Sequence, residues 1–303
     1  MILNTMCKLF FAIIIGFVLN KKDILNTKVN KSISSLIIQI ANPCLIVGSV
    51  ASMKSGNNHL AIELLTVGLV IYIAMPIISF ILVKVLPLKA DYQKTYICML
   101  MFSNCGFMAL PILQSMFGNQ AVFYNTLLHM PYNLLFFTLG AYLLAKDGEG
   151  DFKFEIKQLV TPGVISSILA IVLYFTAYSL PTPISESLNF VGSLVTPLSM
   201  ISIGASIGDY PILEVLKDKS LYFITVLRLV AAPLFVFFLA SFLTQDMMII
   251  KIATISIGMP VGSMVAMGAN EYNGNVQVAS SGVALSTLLS LITIPIMLFI
   301  LGA

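Results

Sequence analysis

Hydrophobic residues in this chain are gathered into long stretches, separated by short polar segments that carry most of the charges. A helix needs about 20 mainly apolar residues to cross the hydrocarbon core of a bilayer. Ten stretches are of about that length, and we predict that each forms a membrane-spanning helix. They lie near residues 5–20, 33–53, 60–84, 94–116, 120–145, 159–179, 185–208, 219–243, 248–270 and 277–302.

The composition agrees with this pattern. Of the 303 residues, 58% are apolar and only 10% are charged, and the mean hydropathy is +0.99. A soluble domain carries about 25% charged residues. The chain is therefore predicted to be a polytopic membrane protein, and a soluble enzyme is excluded. The first apolar stretch lacks the basic start and the small-residue cleavage site of a signal peptide, so we interpret it as the first span.

The basic residues mark one side of the predicted spans. Twelve of the sixteen lysines and arginines lie in the loops after spans 1, 3, 5 and 7, whereas the opposite side holds only Lys8, Lys54 and Lys251. Loops rich in lysine and arginine stay in the cytoplasm. We therefore predict a multi-pass protein of the cell (inner) membrane with both termini outside the cytoplasm.

Neither the net charge nor the cysteines indicate a macromolecular partner or a cofactor. The net charge of +3 is too small for a nucleic-acid-binding surface. Cys7, Cys44, Cys98 and Cys105 have no metal-binding spacing, so we expect no metal and no cofactor, with coupling to H⁺ or Na⁺ left open. The lipid bilayer is an expected partner, and a homodimer is an open alternative to a monomer.

The two halves of the chain align when one is shifted by 154 to 157 residues. Asn42-Pro43 then meets Thr196-Pro197, Pro76 meets Pro233, and Asn104 meets Pro260. Each half has five predicted spans, an odd number, so the second half would enter from the opposite side of the bilayer. Inverted repeats are typical of secondary transporters, with the substrate site between the repeats. We predict a first repeat at 1–145, a cytoplasmic linker at 146–158 and a second repeat at 159–303.

Spans 4 and 9 each contain glycine, proline and small polar residues near their middle. Span 4 reads Ser103-Asn104-Cys105-Gly106 with Pro111 further on, and span 9 reads Gly258-Met259-Pro260-Val261-Gly262-Ser263. Such residues interrupt a helix and free backbone groups, which membrane proteins tolerate only inside protein or beside a wet cavity. Where two interruptions cross, the helix N-termini can hold an anion and the carbonyl ends a cation. A pair of packing kinks is the alternative interpretation.

The order and spacing of several short motifs resemble the auxin efflux carrier family, which includes bacterial malate and malonate permeases. The motifs are Asn104 to Pro111 with Phe117-Gly118, Met259-Pro260 with Glu271-Tyr272, Leu285 to Ser290, and Thr293 to Pro295. The resemblance covers essentially the whole chain. It implies an all-α integral membrane fold of ten helices in two inverted five-helix repeats, with interrupted helices 4 and 9 crossing at the substrate site, and transport of organic carboxylates. The plant carriers have a proline deeper in helix 9 and a long loop between spans 5 and 6, which this chain lacks.

Arg228 and Asn104 are the first candidates for binding a small organic anion. Arg228 lies within span 8, where a guanidinium can hold a carboxylate through two parallel hydrogen bonds; snorkelling to the interface is the alternative. Within the interruption of span 4, Asn104 can donate to a carboxylate or accept from a cation without burying a charge; a hydrogen bond at a helix interface is the alternative. The other candidate substrate-binding residues are Asn42, Pro43, Pro111, Thr196 (or Ser193), Pro260, Gly262 and Ser263.

Two further residues are candidates for ion coupling. His129 in span 5 can relay a proton because histidine titrates near neutral pH, although a helix-packing hydrogen bond is the commoner role. Glu63 lies close to the outer end of span 3, as Glu271 does at the inner end of span 9.

The sequence therefore predicts a secondary carrier of mono- or dicarboxylates that works by alternating access. The alternatives of the same architecture are a sodium-coupled symporter and a sodium/proton antiporter, and the lack of acidic residues at mid-span argues against the antiporter. An intramembrane enzyme would need a nucleophile or metal motif, and a channel would need a repeated pore loop. The sequence contains neither.

Overall fold

The structure is a computed structural model that describes residues 2–51, 58–147, 160–209 and 218–302. Regular secondary structure in these ranges is helical, and the one β-type pairing there is a single bridge between Ser103 and Val261. The helices are α1 (Ile2–Lys21), α2 (Thr27–Val50), α3 (Asn58–Val85), α4 (Gln93–Met101), α5 (Cys105–Phe117), α6 (Asn119–Leu128), α7 (Met130–Lys146), α8 (Pro162–Thr176), α9 (Thr182–Gly192), α10 (Val195–Asp209), α11 (Lys219–Leu243), α12 (Met247–Ile257), α13 (Ser263–Glu271) and α14 (Val276–Ile300).

Several of these helices are long and apolar enough to cross a membrane. By length and composition five of the described helices qualify: α2, His59–Val85, Thr182–Gly208, α11 and α14. A sixth is counted when α6 and α7 are joined, and α5, α8 and α12 are apolar but shorter. The all-helical, membrane-spanning character that the hydrophobic pattern predicts is confirmed. The count of ten spans stays a prediction.

Span 5, which the sequence predicts as one helix over 120–145, is broken in the structure. α6 ends at Leu128, α7 begins at Met130, and the two helices meet at His129 with a bend of 41°. Pro131 lies at the start of α7, and its ring lacks the N–H that a continuous helix would use. The bend therefore has a local cause in the sequence.

Proline also accounts for two π-helical turns inside longer helices. One spans Ile37–Ala41 just before Pro43, and the other spans Leu227–Ala231 just before Pro233. The proline ring displaces the carbonyl one turn before it, and a π turn accommodates the displaced group. The second turn contains Arg228, which it turns toward the interior, where the side chain is fully buried.

Close helix packing joins the two halves of the chain. α1 packs against α10, and each contributes a glycine at the contact. A Cβ built on Gly16 would lie 1.9 Å from the carbonyl oxygen of Ile201, and one on Gly204 would lie 1.9 Å from that of Ile13. Small residues let membrane helices approach this closely. α2 packs on α8 and α9, which adds a second contact between the halves.

The basic loops are tied together at one end of the molecule. Lys89 Nζ donates to Asp218 Oδ2 at 2.8 Å, Lys94 Nζ donates to the carbonyl of Lys146, and Lys21 Nζ donates to that of Gly208. The hydrogen bond to Asp218 raises the pKa of Lys89. These contacts connect the ends of spans 1, 3, 5 and 7.

The opposite end has its own contacts. Leu180 N donates to Ala51 O, Thr244 Oγ1 donates to Glu63, and Lys251 Nζ donates to Gly302 O. They connect the loops after spans 2, 6 and 8 with the C-terminus. Most of the predicted linker at 146–158 lies outside the described residues.

Candidate functional site

Spans 4 and 9 are both interrupted in the structure. α4 ends at Met101 and α5 begins at Cys105, while α12 ends at Ile257 and α13 begins at Ser263. Asn104 caps α5, because its Oδ1 accepts a hydrogen bond of 3.2 Å from the backbone N–H of Phe107. In span 9, Pro260 has no N–H to continue the helix.

The two interruptions lie against each other and satisfy each other's backbone groups. Asn104 N donates to Pro260 O and Gly262 N donates to Phe102 O, each at 2.9 Å, on either side of the Ser103–Val261 bridge. Val261 N donates to the buried Ser286 Oγ at 3.0 Å. Backbone groups freed at membrane depth must find partners within the protein. The crossover thus replaces helical hydrogen bonds with an antiparallel pair.

Gly262 allows this close crossing. A Cβ at this position would lie 2.9 Å from the carbonyl oxygen of Ser103 and 3.1 Å from the hydroxyl of Tyr132. Gly106 has the opposite surroundings, because its Cβ would meet only Asn42 Nδ2, at 3.9 Å. One glycine is required by packing, and the other borders open space.

That open space is part of a cavity of about 210 Å³ beside the crossover. Residues at the start of α5, α8 and α13 line it together with residues of α2, α6 and α7. The polar residues among them are Asn42, Ser103, Asn104, Asn125, Thr126, His129, Tyr132, Asn133, Thr161, Ser167 and Ser263. No aspartate, glutamate, lysine or arginine is among the described residues that line it.

The electrostatics of the cavity come from helix ends. The first N–H groups of a helix have no partner within the helix, and an N-terminus carries a partial charge of about +0.5. Gly106 at the start of α5 and Ser263 at the start of α13 both line the cavity. An uncharged lining with convergent helix N-termini favours an anion over a cation.

Three polar side chains in the cavity wall have unused hydrogen-bonding capacity. Asn42 Oδ1 and Ser103 Oγ are buried and have no hydrogen-bond partner among the described residues. His129 is 8% exposed; its Nδ1 pairs with the carbonyl of Asn125 at 2.9 Å, and its Nε2 has no partner among the described residues. Because a carbonyl only accepts, Nδ1 carries a proton, which leaves Nε2 as the free position.

Arg228 does not line this cavity. Its side chain is fully buried, and it donates to three backbone carbonyls, those of Leu100, Ile257 and Met259. These carbonyls belong to the last residues of α4 and α12 and to the interruption that follows α12. The guanidinium is therefore bonded to the backbone of the crossover, and it neither faces the cavity nor snorkels to an interface.

The other sequence-predicted candidates divide into two groups. Asn42, Asn104, Gly262, Ser263 and His129 line the cavity. Pro43, Pro111 and Pro260 lie in or beside the helices that surround it, and Thr196 Oγ1 donates to Gln114 Oε1 at 3.2 Å outside it. Ser193 is exposed. Glu63 accepts from Thr244 and lies 3.7 Å from His59 Nδ1 at one end of the molecule.

The sequence analysis missed several lining residues, chiefly Asn125, Thr126, Thr161 and Ser167. A signal was present for the first of these. Asn125, His129 and Asn133 recur at intervals of four residues in an otherwise apolar stretch, which places polar groups on one side of a helical span. Thr161 and Ser167 lie at the start of span 6 and gave no comparable signal.

The fold and the site define a class of protein. Apolar helices long enough to cross a membrane, together with two interrupted segments that cross beside a cavity, are typical of membrane transporters. A family model described as "Membrane transport protein" matches the chain in two stretches, residues 1–153 and 150–298. The chain belongs to this family, the auxin efflux carrier family, and is a transporter and not an enzyme.

Two relatives align with nearly the whole chain. An uncharacterized transporter from Methanocaldococcus jannaschii is 25% identical over 292 residues, which cover 93% of each chain. An uncharacterized transporter from Methanothermobacter thermautotrophicus is 22% identical over 298 residues, covering 97% of this chain and 96% of the relative. Both relatives agree with a transport function.

Proposed function

We propose that the protein is a secondary carrier of small organic anions, mono- or dicarboxylates such as malate or malonate, that works by alternating access. The observation that carries this proposal is that the starts of α5 and α13 both line a cavity whose described lining contains polar side chains but no aspartate, glutamate, lysine or arginine. A cation-binding cavity would be expected to offer carboxylates instead.

The charge balance of the site fits one carboxylate group. Two helix N-termini of about +0.5 each sum to about one positive charge. A single carboxylate would neutralise that charge without burying an unpaired ion, whose desolvation would be costly. A dicarboxylate would place its second group toward Asn133, Ser167 or Thr161, which also line the cavity.

Individual residues take distinct roles in this proposal. Asn104 orients the start of α5 and offers its amide to the anion, while the N–H groups at the starts of α5 and α13 donate from Gly106 and Ser263. Asn42 adds a side-chain amide from α2. Pro111, Pro260, Pro43 and Thr196 would act indirectly, by fixing the helices around the cavity.

We further propose ten spans arranged as two inverted repeats. Support comes from the crossover, where the hydrogen bonds from Asn104 N to Pro260 O and from Gly262 N to Phe102 O lie on either side of the Ser103–Val261 bridge. A two-fold axis through that bridge would exchange the two hydrogen bonds and make Ser103 equivalent to Val261. That equivalence is a shift of 158 residues, one more than the 154 to 157 of the sequence alignment.

The orientation proposed is that of a cell (inner) membrane protein with both termini outside the cytoplasm. The contacts of Lys89, Lys94 and Lys21 join the loops that follow odd-numbered spans, which is the arrangement that alternating spans require. The excess of lysine at that end favours the cytoplasmic side.

In the transport cycle, the part that contains the crossed spans 4 and 9 would move against a scaffold that includes spans 1, 2, 6 and 7. The packing of α1 on α10 and of α2 on α8 and α9 supports a scaffold built from both halves. Movement between these two parts would expose the cavity to one side of the membrane at a time.

His129 is the proposed coupling residue. A proton on Nε2 would add a donor and a positive charge to the cavity wall, so proton and anion would bind more tightly together than apart. Glu63 is a weaker candidate, because its carboxylate lies outside this cavity, beside Thr244 and His59.

The test is uptake of labelled malate into proteoliposomes of the purified protein, under separately imposed proton and Na⁺ gradients. We expect saturable uptake with counterflow of unlabelled substrate, and empty liposomes serve as the control. Flux that does not saturate and shows no counterflow would contradict a carrier. No uptake of malate, malonate or a monocarboxylate by correctly inserted protein would contradict the anion assignment.

A further inference from the structure

Arg228 occupies an unusual position for a charged residue in an apolar helix. It is the largest side chain among the fully buried residues of the described chain, and it lies in the π-helical turn of α11. Nε donates to Met259 O at 3.1 Å, Nη1 donates to Leu100 O at 2.7 Å, and Nη2 donates to Ile257 O. No salt bridge involves Arg228 in the described part of the chain.

The three carbonyls are the negative ends of two helices. Leu100 lies in the last turn of α4, Ile257 is the last residue of α12, and Met259 follows within the interruption. A helix C-terminus carries a partial charge of about −0.5, so the two ends together carry about one negative charge. One guanidinium balances them, and its planar fork reaches three acceptors at once.

Carbonyl ends at an interrupted helix are also the groups that hold Na⁺ in many ion-coupled carriers. In this protein the carbonyl oxygens accept hydrogen bonds from Arg228, a cationic side chain that stays protonated in proteins. Among the described residues, no group of three or more histidine, cysteine, aspartate or glutamate side chains offers a metal ion another site.

We propose that Arg228 is a resident cation that takes the place of a coupling Na⁺ at the crossover. It holds the ends of α4 and α12 together in every state of the transport cycle, and transport is therefore independent of Na⁺. Arg228 acts as a positioning residue, since it contacts the backbone of the site and not the cavity. The uptake measurement rests on the proposed carrier function, whereas the unfolding measurement does not.

The experiment compares wild type with Arg228→Ala in media that contain Na⁺, choline or guanidinium at equal ionic strength, with guanidinium kept far below its denaturing range. Thermal unfolding of the purified protein is one readout, and carboxylate uptake is the other. Lys251→Ala is the matched control, because Lys251 also donates to a backbone carbonyl, that of Gly302, at an exposed site away from the crossover.

Wild type is expected to unfold and transport alike in Na⁺ and choline. Arg228→Ala is expected to unfold at a lower temperature and to lose uptake by about tenfold or more, since three carbonyls lose a charged donor. Guanidinium or Na⁺ should raise the unfolding temperature of Arg228→Ala and restore part of its uptake, with no such effect on wild type or Lys251→Ala.

The proposal is overturned if wild type requires Na⁺ for uptake or is stabilised by it in a saturable way. It is equally overturned if Arg228→Ala unfolds and transports like wild type in choline. Should Arg228→Ala not fold, Arg228→Gln replaces it in the same comparison, and the Na⁺ dependence of wild type decides the matter if neither variant folds. If wild type takes up no carboxylate, the proposed function fails, but the unfolding measurements still test Arg228 because they need no substrate.

Discussion

Asn104 combines two tasks in one side chain. Its Oδ1 caps α5 by accepting from Phe107 N, and the residue lines the cavity at the crossover. Asn275 has the same local task without the second one, because its Oδ1 accepts from Val278 N at the start of α14, away from the cavity. Comparing the two asparagines separates capping from anion binding.

Asn104→Asp is therefore expected to abolish anion transport while the protein still folds. Aspartate caps a helix as well as asparagine does, but it adds a negative charge where the substrate carboxylate would bind. Two like charges about 4 Å apart repel by about 4 kcal/mol at an effective dielectric constant of about 20, which predicts a loss of uptake well beyond about tenfold. The measurement is proteoliposome uptake together with thermal unfolding.

Asn104→Ser and Asn275→Asp are the controls for that prediction. Serine keeps the cap without a charge, and Asn275→Asp adds the charge to a different cap. Asn275→Asp should retain uptake within a few-fold. Asn104→Ser, which keeps the cap but loses the amide offered to the anion, should retain more uptake than Asn104→Asp. Uptake by Asn104→Asp equal to that of Asn275→Asp would remove Asn104 from the site.

His129→Gln tests proton coupling at the scale of one side chain. Glutamine keeps an amide in the cavity wall but cannot take up a proton. We expect uptake by wild type to rise as the pH falls, because protonation adds a positive charge beside the anion. The variant should show a flat pH profile at a lower maximal rate. A wild-type profile in His129→Gln would transfer the coupling role to another group.

At the scale of the helix, proline and glycine determine where the spans break and how closely they cross. Pro131 accounts for the bend between α6 and α7, and Pro43 and Pro233 each follow a π-helical turn. Gly262 lets the two interruptions approach, whereas Gly106 borders open space. Packing therefore requires a glycine at the first position and not at the second.

The two glycines give contrasting predictions. Gly262→Ala should lower the free energy of unfolding by about 1–3 kcal/mol, because its Cβ would press on the backbone of Ser103. Gly106→Ala should leave stability unchanged within about 1 kcal/mol and reduce uptake, because its Cβ points toward the cavity.

Chemical denaturation and uptake of the two purified variants check this pair. If both variants lost the same amount of stability, the Cβ at position 106 would be clashing with neighbouring atoms, which would contradict the open space beside Gly106. Unchanged stability in Gly262→Ala would mean that the crossover is looser than the contacts of Gly262 indicate.

At the scale of the whole molecule, the side of the membrane on which each end lies can be tested by labelling. Single cysteines replacing Lys89 and Lys251, in a background with all four native cysteines replaced by serine, should differ toward a membrane-impermeant maleimide added to intact cells. The first should react only after permeabilisation, because it lies at the lysine-rich end, and the second should react directly. Reaction of both from outside would contradict the proposed orientation.

Most of the helices of this fold could be predicted from the sequence, but fewer of the residues that line the cavity could. The hydrophobic stretches gave the helices, and the positions of Asn104, Pro260 and Gly262 gave the two interruptions, because helix propensity and proline chemistry are local. Span 5 was predicted as one helix although Pro131 was visible, since an apolar stretch of the right length outweighed one proline. Thr161 and Ser167 were missed because their place in the cavity depends on how separate helices pack, whereas the four-residue spacing of Asn125, His129 and Asn133 was a local signal that the sequence analysis did not use.

The sequence by itself determined that this is a polytopic, all-helical membrane protein with breaks in spans 4 and 9, and the order of its short motifs resembles the auxin efflux carrier family. The helices and their breaks follow from apolar length and from the backbone chemistry of single residues. Only the tertiary structure decided which residues line the cavity, and it separated Arg228 from them. Sequence reasoning assigned the guanidinium to a substrate because a buried charge needs a partner, but that partner proved to be three backbone carbonyls of α4, α12 and the interruption after α12. Carbonyl groups are present at every residue, so only the packing of three helices could reveal which of them Arg228 would meet.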